Sequence, residues 1–140
     1  GGTVPHTREP RMFGSVSHKS MLPLLSRYAI KPSDYEGPGS FASYLLHLAP
    51  KHKVEMLSLA AEIPGYLQGI NPLSIEAVTR RLAAIMGLDP QIDIDLTALR
   101  KASTDWEMKV SEAVQEDKDL AKRVRKLEEE YDDALIQEQE

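Results

Sequence analysis

The residues best suited to chemistry lie in two short stretches, one near the start of the chain and one in a glycine-rich loop. His6 and Arg8 follow a glycine pair, and such a histidine and arginine could hold an anion. Gly39 and Ser40 directly precede an apolar helical pattern, and the free amides at a helix start attract phosphate or carboxylate. The alternatives are a loop histidine satisfied by hydrogen bonds and a tight turn with a serine helix cap.

Glu62 is a further ligand-binding candidate, because it directly follows an apolar run and α/β sheets bind ligands beyond strand ends. The sequence holds no cysteine, no nucleophile motif and no histidine pair at metal-ligand spacing. We therefore predict no catalytic residue, no metal site and no cofactor. The acidic runs at 128–130 and 132–133 are interpreted as a solvated helix face. Around Gly39 the lysine and the spacing of a P-loop are missing, which favours the turn there.

Composition limits the partners that we expect. A chain of 140 residues is the size of one domain. Its net charge of -5 argues against nucleic acid, which needs a basic face. Apolar runs are too short to span a membrane, so we predict no membrane partner. The absence of cysteine suits a cytoplasmic protein, which is our prediction. The chain opens on two glycines within a motif, and we expect further sequence before it; the alternative is a tag remnant.

The elements around Glu62 indicate an α/β protein. Residues 54–61 form an apolar run typical of a strand, and residues 72–86 carry apolar side chains at helical spacing. Asn71 caps this helix and Pro72 occupies its first position, where a missing amide costs nothing. Strand, loop and helix together predict one crossover step of an α/β sheet. A shorter strand at 11–16 and a helix at 41–48 precede that step.

Residues after 95 predict an antiparallel helical hairpin with one dry side. Asp95 caps its first helix, and apolar residues recur at steps of three and four on both sides of a break at 116–117. Four residues of these stripes are our candidate protein interface: Trp106, Val110, Leu127 and Tyr131. Trp106 alone is also interpreted as a packing anchor, because its stripe matches that of its neighbours.

Several of these segments together resemble the proteasome assembly chaperone 2 family in its bacterial and archaeal form. They are the stretches at 4–8, 37–41, 63–67, 71–72, 87–88 and 94–96, followed by the acidic hairpin. Gly65 departs from the pattern, because the family usually has a histidine there. The resemblance implies a three-layer α/β fold similar to nucleoside phosphorylases, a C-terminal helical segment, self-association and protein binding. It covers what looks like the second half of a family member.

We therefore predict that residues 1–92 form the C-terminal portion of an α/β domain and that residues 93–140 form the helical hairpin. The function that the resemblance implies is a non-enzymatic, chaperone-like role in protein interaction. Its partner would be a second copy or a companion N-terminal half. The alternative is a small-ligand binder or an enzyme, in which a phosphorylase-like pocket takes a phosphate- or nucleoside-like ligand; its residues would be His6, Arg8, Gly39, Ser40 and Glu62.

Overall fold

The computed structural model describes residues 4–34, 39–88 and 95–139, and it is a mixed α/β structure. The described residues form three strands and five α-helices. The chain divides into two compact units, a sheet unit of residues 11–61 and a helical unit of residues 1–10 and 62–140. The glycine pair at 1–2, the turn at 37–38 and the segment 89–94 lie outside the described residues. The predicted division at residues 92 and 93 stays a prediction.

The sheet unit is built on three strands, β1 (Met12–Val16), β2 (Lys31–Pro32) and β3 (Leu57–Ala61), in the order β2-β1-β3. β1 runs parallel to β2 and antiparallel to β3. Gly14 of β1 leaves no room for a side chain, because an added Cβ would lie 2.9 Å from Ile30 Cγ2 and 3.0 Å from Leu25 Cδ2. Both apolar residues are almost fully buried, so Gly14 lets them pack directly onto the strand.

Two helices complete the sheet unit, α1 (Leu22–Arg27) and α2 (Phe41–Leu48). The predicted strands at 11–16 and 54–61 are confirmed, although β3 begins only at Leu57. α1 joins the two parallel strands, and among the described residues no strand follows residue 61. The crossover that we predicted beyond β3 therefore does not return to a sheet within the described chain.

α2 begins at the predicted residue, but two of its apolar residues are exposed rather than buried. Ser40 accepts a hydrogen bond from the Ser43 amide at 3.1 Å, and Ser43 Oγ accepts from the Ser40 amide in return. Phe41 and Tyr44, which the helical spacing assigns to the apolar face, are 76% and 60% exposed. Spacing predicts which residues share a face, but it does not predict that a neighbour covers that face.

The helical unit contains α3 (Pro72–Ile85), α4 (Thr97–Glu116) and α5 (Lys118–Gln139). Asn71 caps α3 as predicted, with its Oδ1 accepting from the Ser74 amide at 3.1 Å. Gly87 follows the end of α3 with a φ of +71°, a conformation in which a Cβ is strained. No helix of the described ranges is both long and apolar enough to cross a membrane.

The predicted helical hairpin is formed by α4 and α5, with Val114, Val124 and Tyr131 buried. The start of α4 differs slightly from the prediction. Leu96 is the capping residue by backbone geometry, while the carboxylate of Asp95 accepts from the Thr97 amide at 2.9 Å. That hydrogen bond lowers the pKa of Asp95.

Candidate functional site

His6 is the most completely engaged polar residue of the helical unit. It is 1% exposed, and its Nδ1 lies 2.7 Å from the Tyr66 hydroxyl, which also accepts from the His6 amide at 2.8 Å. Its Nε2 lies 2.9 Å from Ser111 Oγ. The imidazole also meets the rings of Tyr66 and Trp106 edge to face, at centroid distances of 6.0 and 6.4 Å. His6 thus links three parts of the helical unit, namely the start of the chain, helix α4 and the loop that precedes α3.

Burial lowers the pKa of His6, and the carboxylates of Glu107 and Glu128 only partly oppose that shift. Burial likewise raises the pKa of the Tyr66 hydroxyl. The hydrogen bonds fit a neutral imidazole with its proton on Nε2, since Tyr66 can then donate to Nδ1 and Nε2 can donate to Ser111. His6 is therefore built into the unit as a neutral group, and our alternative of a hydrogen-bonded loop histidine describes it.

The two residues after His6 hold the start of the chain against α5. Arg8 donates from Nε and from one terminal nitrogen to the two carboxylate oxygens of Asp132, each at 2.9 Å. Its other terminal nitrogen lies 3.8 Å from Glu128, and the Thr7 hydroxyl donates to the same carboxylate. The Arg8 hydrogen bond lowers the pKa of Asp132, and the same bond raises the pKa of Arg8.

These contacts show that the acidic runs on α5 are only in part the solvated face that we predicted. Glu128 and Asp132, one turn apart, face the Thr7–Arg8 segment, while Glu129 and Glu130 are exposed. Tyr131, which lies between Glu128 and Asp132 in the sequence, is buried, and its hydroxyl donates a hydrogen bond to the Glu9 carbonyl at 2.8 Å. A run of charged residues can thus include individual carboxylates that make tertiary hydrogen bonds.

An open cleft lies beside His6 in the helical unit. It has a volume of about 630 Å³ and is bounded by His6 and Thr7, by the C-terminal turns of α4 and by the first three turns of α5. Val114 and Val124 contribute apolar surface, and Ser111 and Gln115 contribute polar groups. A cavity of this size is within the range of small-molecule sites.

α3 distributes its side chains in an unusual way. Its buried residues are small or polar, namely Ser74, Glu76, Ala77 and Ala83. Glu76 accepts from Arg80 at 2.8 and 3.1 Å and lies 3.6 Å from Arg100 Nε. Burial opposes ionisation of Glu76, but hydrogen bonds from Arg80 and Ser103 and the two arginine charges outweigh it, so its pKa is lowered.

Three large apolar residues, two on α3 and one at its C-terminal cap, lie opposite this buried side. Ile75, Leu82 and Met86 are 47%, 44% and 70% exposed and lie on one side of the helix at spacings of seven and four. We call these three residues the α3 apolar face. A helix side with three exposed large apolar residues offers a contact surface.

Comparison with known proteins places the chain in a family. The sequence model of the PAC2 family matches residues 1–114. The chain belongs to the PAC2 family. This confirms the resemblance to proteasome assembly chaperone 2 proteins on which our functional prediction rested. Among curated proteins, none matches the chain significantly.

Solved structures share the PAC2 fold of this chain. A Mycobacterium tuberculosis protein of unknown function is 29% identical, with a TM-score of 0.77 over 99% of this chain and 45% of that one. A PAC2 family protein from Streptomyces avermitilis is 26% identical, with a TM-score of 0.72 over 88% and 49%. A Mycobacterium tuberculosis proteasome-assembly chaperone homologue, 23% identical with a TM-score of 0.64 over 86% and 49%, shares the fold. The chain spans about half the length of each.

The predicted ligand-binding residues are divided between the two units of the PAC2 chain. His6, Arg8 and Glu62 belong to the helical unit, whereas Gly39 and Ser40 belong to the sheet unit. The hydroxyl of Ser40 is used by the helix cap, and the carbonyl of Glu62 accepts from Ser74 Oγ at 2.8 Å. A ligand shared by all five residues stays a prediction.

Of the predicted interface residues, Trp106, Val110 and Leu127 are partly exposed and Tyr131 is 8% exposed. Their role as an interface stays a prediction. Sequence reasoning missed Tyr66 and Ser111 as partners of His6, which lie 60 and 105 positions from it in the chain. No local pattern marks such long-range pairs.

Proposed function

We propose that this PAC2 protein is a non-enzymatic, chaperone-like protein that works by binding other polypeptides. The observation that carries the proposal is the α3 apolar face. Leu82 and Met86 belong to the apolar stripe of the helix predicted at 72–86, yet both remain exposed in the described structure. Burying such side chains in a partner gains roughly 1–2 kcal/mol each, in proportion to the apolar area removed from water. The family, which includes proteasome-assembly chaperone homologues among its solved relatives, supports a role of this kind.

We propose two partners, a companion N-terminal half of the PAC2 fold and a second copy of the chain. The solved relatives are about twice as long as this chain, which supports a companion half that completes a three-layer, phosphorylase-like sheet. Within this proposal residues 1–92 are the C-terminal portion of the α/β domain, residues 93–140 are its hairpin, and the assembly is cytoplasmic. β3 supports sheet completion, because among the described residues it pairs on one side only.

The alternative of a phosphate- or nucleoside-like ligand at the five predicted residues has less support. Arg8 is held by Asp132 through two hydrogen bonds, and the Ser40 hydroxyl is engaged in the cap of α2. Both groups would have to give up these bonds to hold an anion. The α3 apolar face, by contrast, needs no rearrangement to bind a protein.

The experiment that tests the proposal compares two methionines of similar exposure. Met86 lies on the α3 apolar face, and Met108 lies on α4 with 59% of its surface exposed. We expect Met86→Gln to weaken assembly in native mass spectrometry and sedimentation, and Met108→Gln to leave it unchanged. The mass of the complex distinguishes a second copy from a companion polypeptide. Equal assembly of both variants and the unchanged protein would sink the proposed role of α3.

A further inference from the structure

The cleft beside His6 carries three cations on one wall. Lys118, Lys122 and Arg125 all line it and follow one another along α5 at spacings of four and three, which places them on one side of the helix. Within the described part of the chain, none of these three side chains makes a hydrogen bond or an ion pair. This grouping occurs in a protein whose net charge is -5. We call it the cationic wall.

The cationic wall is unfavourable for the helix that bears it. Like charges at spacings of three and four repel one another on a helix surface. Lys118 and Lys122 also lie at the N-terminal end of α5, where the helix dipole is positive and favours anions. The first turn of α5 contains a single acidic residue, Asp119. The carboxylate of Asp117 already accepts from the Asp119 and Leu120 amides at this end of α5. A negative group in the cleft would offset the remaining repulsion among the three cations.

The remaining surfaces of the cleft suit an anion that also has an apolar part. Ser111 and Gln115 of α4 provide polar groups opposite the cationic wall, and Val114 and Val124 provide apolar surface. Glu128 is the one acidic residue that lines the cleft, and it is already engaged by the Thr7 hydroxyl and lies 3.8 Å from Arg8. These contacts hold the Glu128 carboxylate toward the Thr7–Arg8 segment, and the three cations outnumber it in the cleft lining.

We propose that this cleft binds a small organic anion, whose phosphate or carboxylate group is held by Lys118, Lys122 and Arg125 while its apolar part packs against Val114 and Val124. This site goes beyond the protein-interaction role and does not depend on it, because the α3 apolar face lies on a different helix. It also differs from the predicted ligand set, with which it shares only His6.

The test titrates the purified protein with hexyl phosphate, hexanoate and inorganic phosphate. Trp106 is the sole tryptophan, and its ring meets that of His6, which lines the cleft, edge to face at 6.4 Å. Its fluorescence therefore reports binding through His6, and the melting temperature gives a second readout. We expect hexyl phosphate to bind more tightly than inorganic phosphate because of the apolar surface. Comparison of hexyl phosphate with hexanoate identifies the preferred anionic group. Added salt should weaken binding through screening.

Two arginines two positions apart provide a matched pair of variants. Arg125→Gln removes one member of the cationic wall, and we expect it to weaken binding about tenfold, the usual scale for one charge-assisted hydrogen bond. Arg123→Gln makes the same charge change outside the cleft lining and should bind normally. Neither change should alter the melting temperature of the free protein by much, because both side chains are exposed. An absence of response to all three anions, or equal binding by both variants, would overturn the proposal.

Discussion

The Tyr66 hydroxyl gives the sharpest prediction, because one oxygen satisfies two groups of a residue that is 1% exposed. It accepts from the His6 amide at 2.8 Å and lies 2.7 Å from His6 Nδ1. Tyr66→Phe keeps the ring and leaves both groups without a partner. Each buried polar group that loses its partner costs about 1–3 kcal/mol, so we expect the free energy of unfolding to fall by about 2–4 kcal/mol.

The measurement is urea unfolding at neutral pH, followed by Trp106 fluorescence, because Trp106 lies in the same unit and beside His6. Tyr44→Phe is the matched control: Tyr44 is 60% exposed, and its replacement should change stability by less than about 0.5 kcal/mol. If Tyr66→Phe unfolds at the same urea concentration as Tyr44→Phe, the hydroxyl does not hold His6 as described. An unchanged slope with denaturant is also expected, since the same surface is exposed on unfolding.

Three further predictions follow from single residues. The pKa of His6 is lowered, so below its ordinary value of 6.5 the unfolded chain binds more protons than the folded chain, and the free energy of unfolding falls as the pH falls. An NMR titration should place the pKa of His6 under 6.5, and a higher value would refute its burial as a neutral group. Glu76→Gln should lower the free energy of unfolding by about 1–3 kcal/mol at neutral pH, because Arg80 loses its carboxylate partner. This loss of stability should shrink below pH 4.5, the ordinary pKa of Glu76; urea unfolding checks it, with Glu112→Gln at an exposed position as the control. Asn71→Ala should cost about 1 kcal/mol in thermal unfolding, whereas Asn71→Asp keeps the acceptor and most of the stability.

Local signals predicted the helices of this chain well. Asn71 followed by Pro72 fixed the start of α3, because a capping side chain and a residue without an amide suit that position alone. Spacings of three and four predicted the α4–α5 hairpin, and the break at 116–117 is where α4 ends. Both depend on neighbours within one or two turns, which the sequence displays directly.

The site depended on contacts that the sequence does not display. His6 meets Tyr66 and Ser111 only after folding, and the predicted grouping of His6 with Gly39 and Ser40 assumed a proximity that spacing cannot supply. The acidic residues of α5 were assigned to solvent because consecutive carboxylates usually are, yet Asp132 holds Arg8. Periodicity also cannot say which apolar face is left uncovered.

The α3 apolar face is an example of an apolar surface whose exposure periodicity does not predict. The spacing of Leu82 and Met86 indicates an apolar stripe, and in an isolated domain such a stripe faces the core. In the structure the small residues Ala77 and Ala83 are buried, whereas Leu82 and Met86 are left exposed. We attribute the difference to a polypeptide that covers α3 in the functional assembly.

Cross-linking from α3 tests the central claim most directly. The sequence contains no cysteine, so Met86→Cys creates a unique attachment point for a photoactivatable cross-linker, and Met108→Cys provides the control on α4. We predict that the probe at position 86 forms a cross-link to a second copy or to a companion PAC2 half, identified by its peptides in mass spectrometry. The probe at position 108 should give far less. Equal yields at the two positions, or none at position 86, would contradict the claim that α3 is where this protein binds its partner.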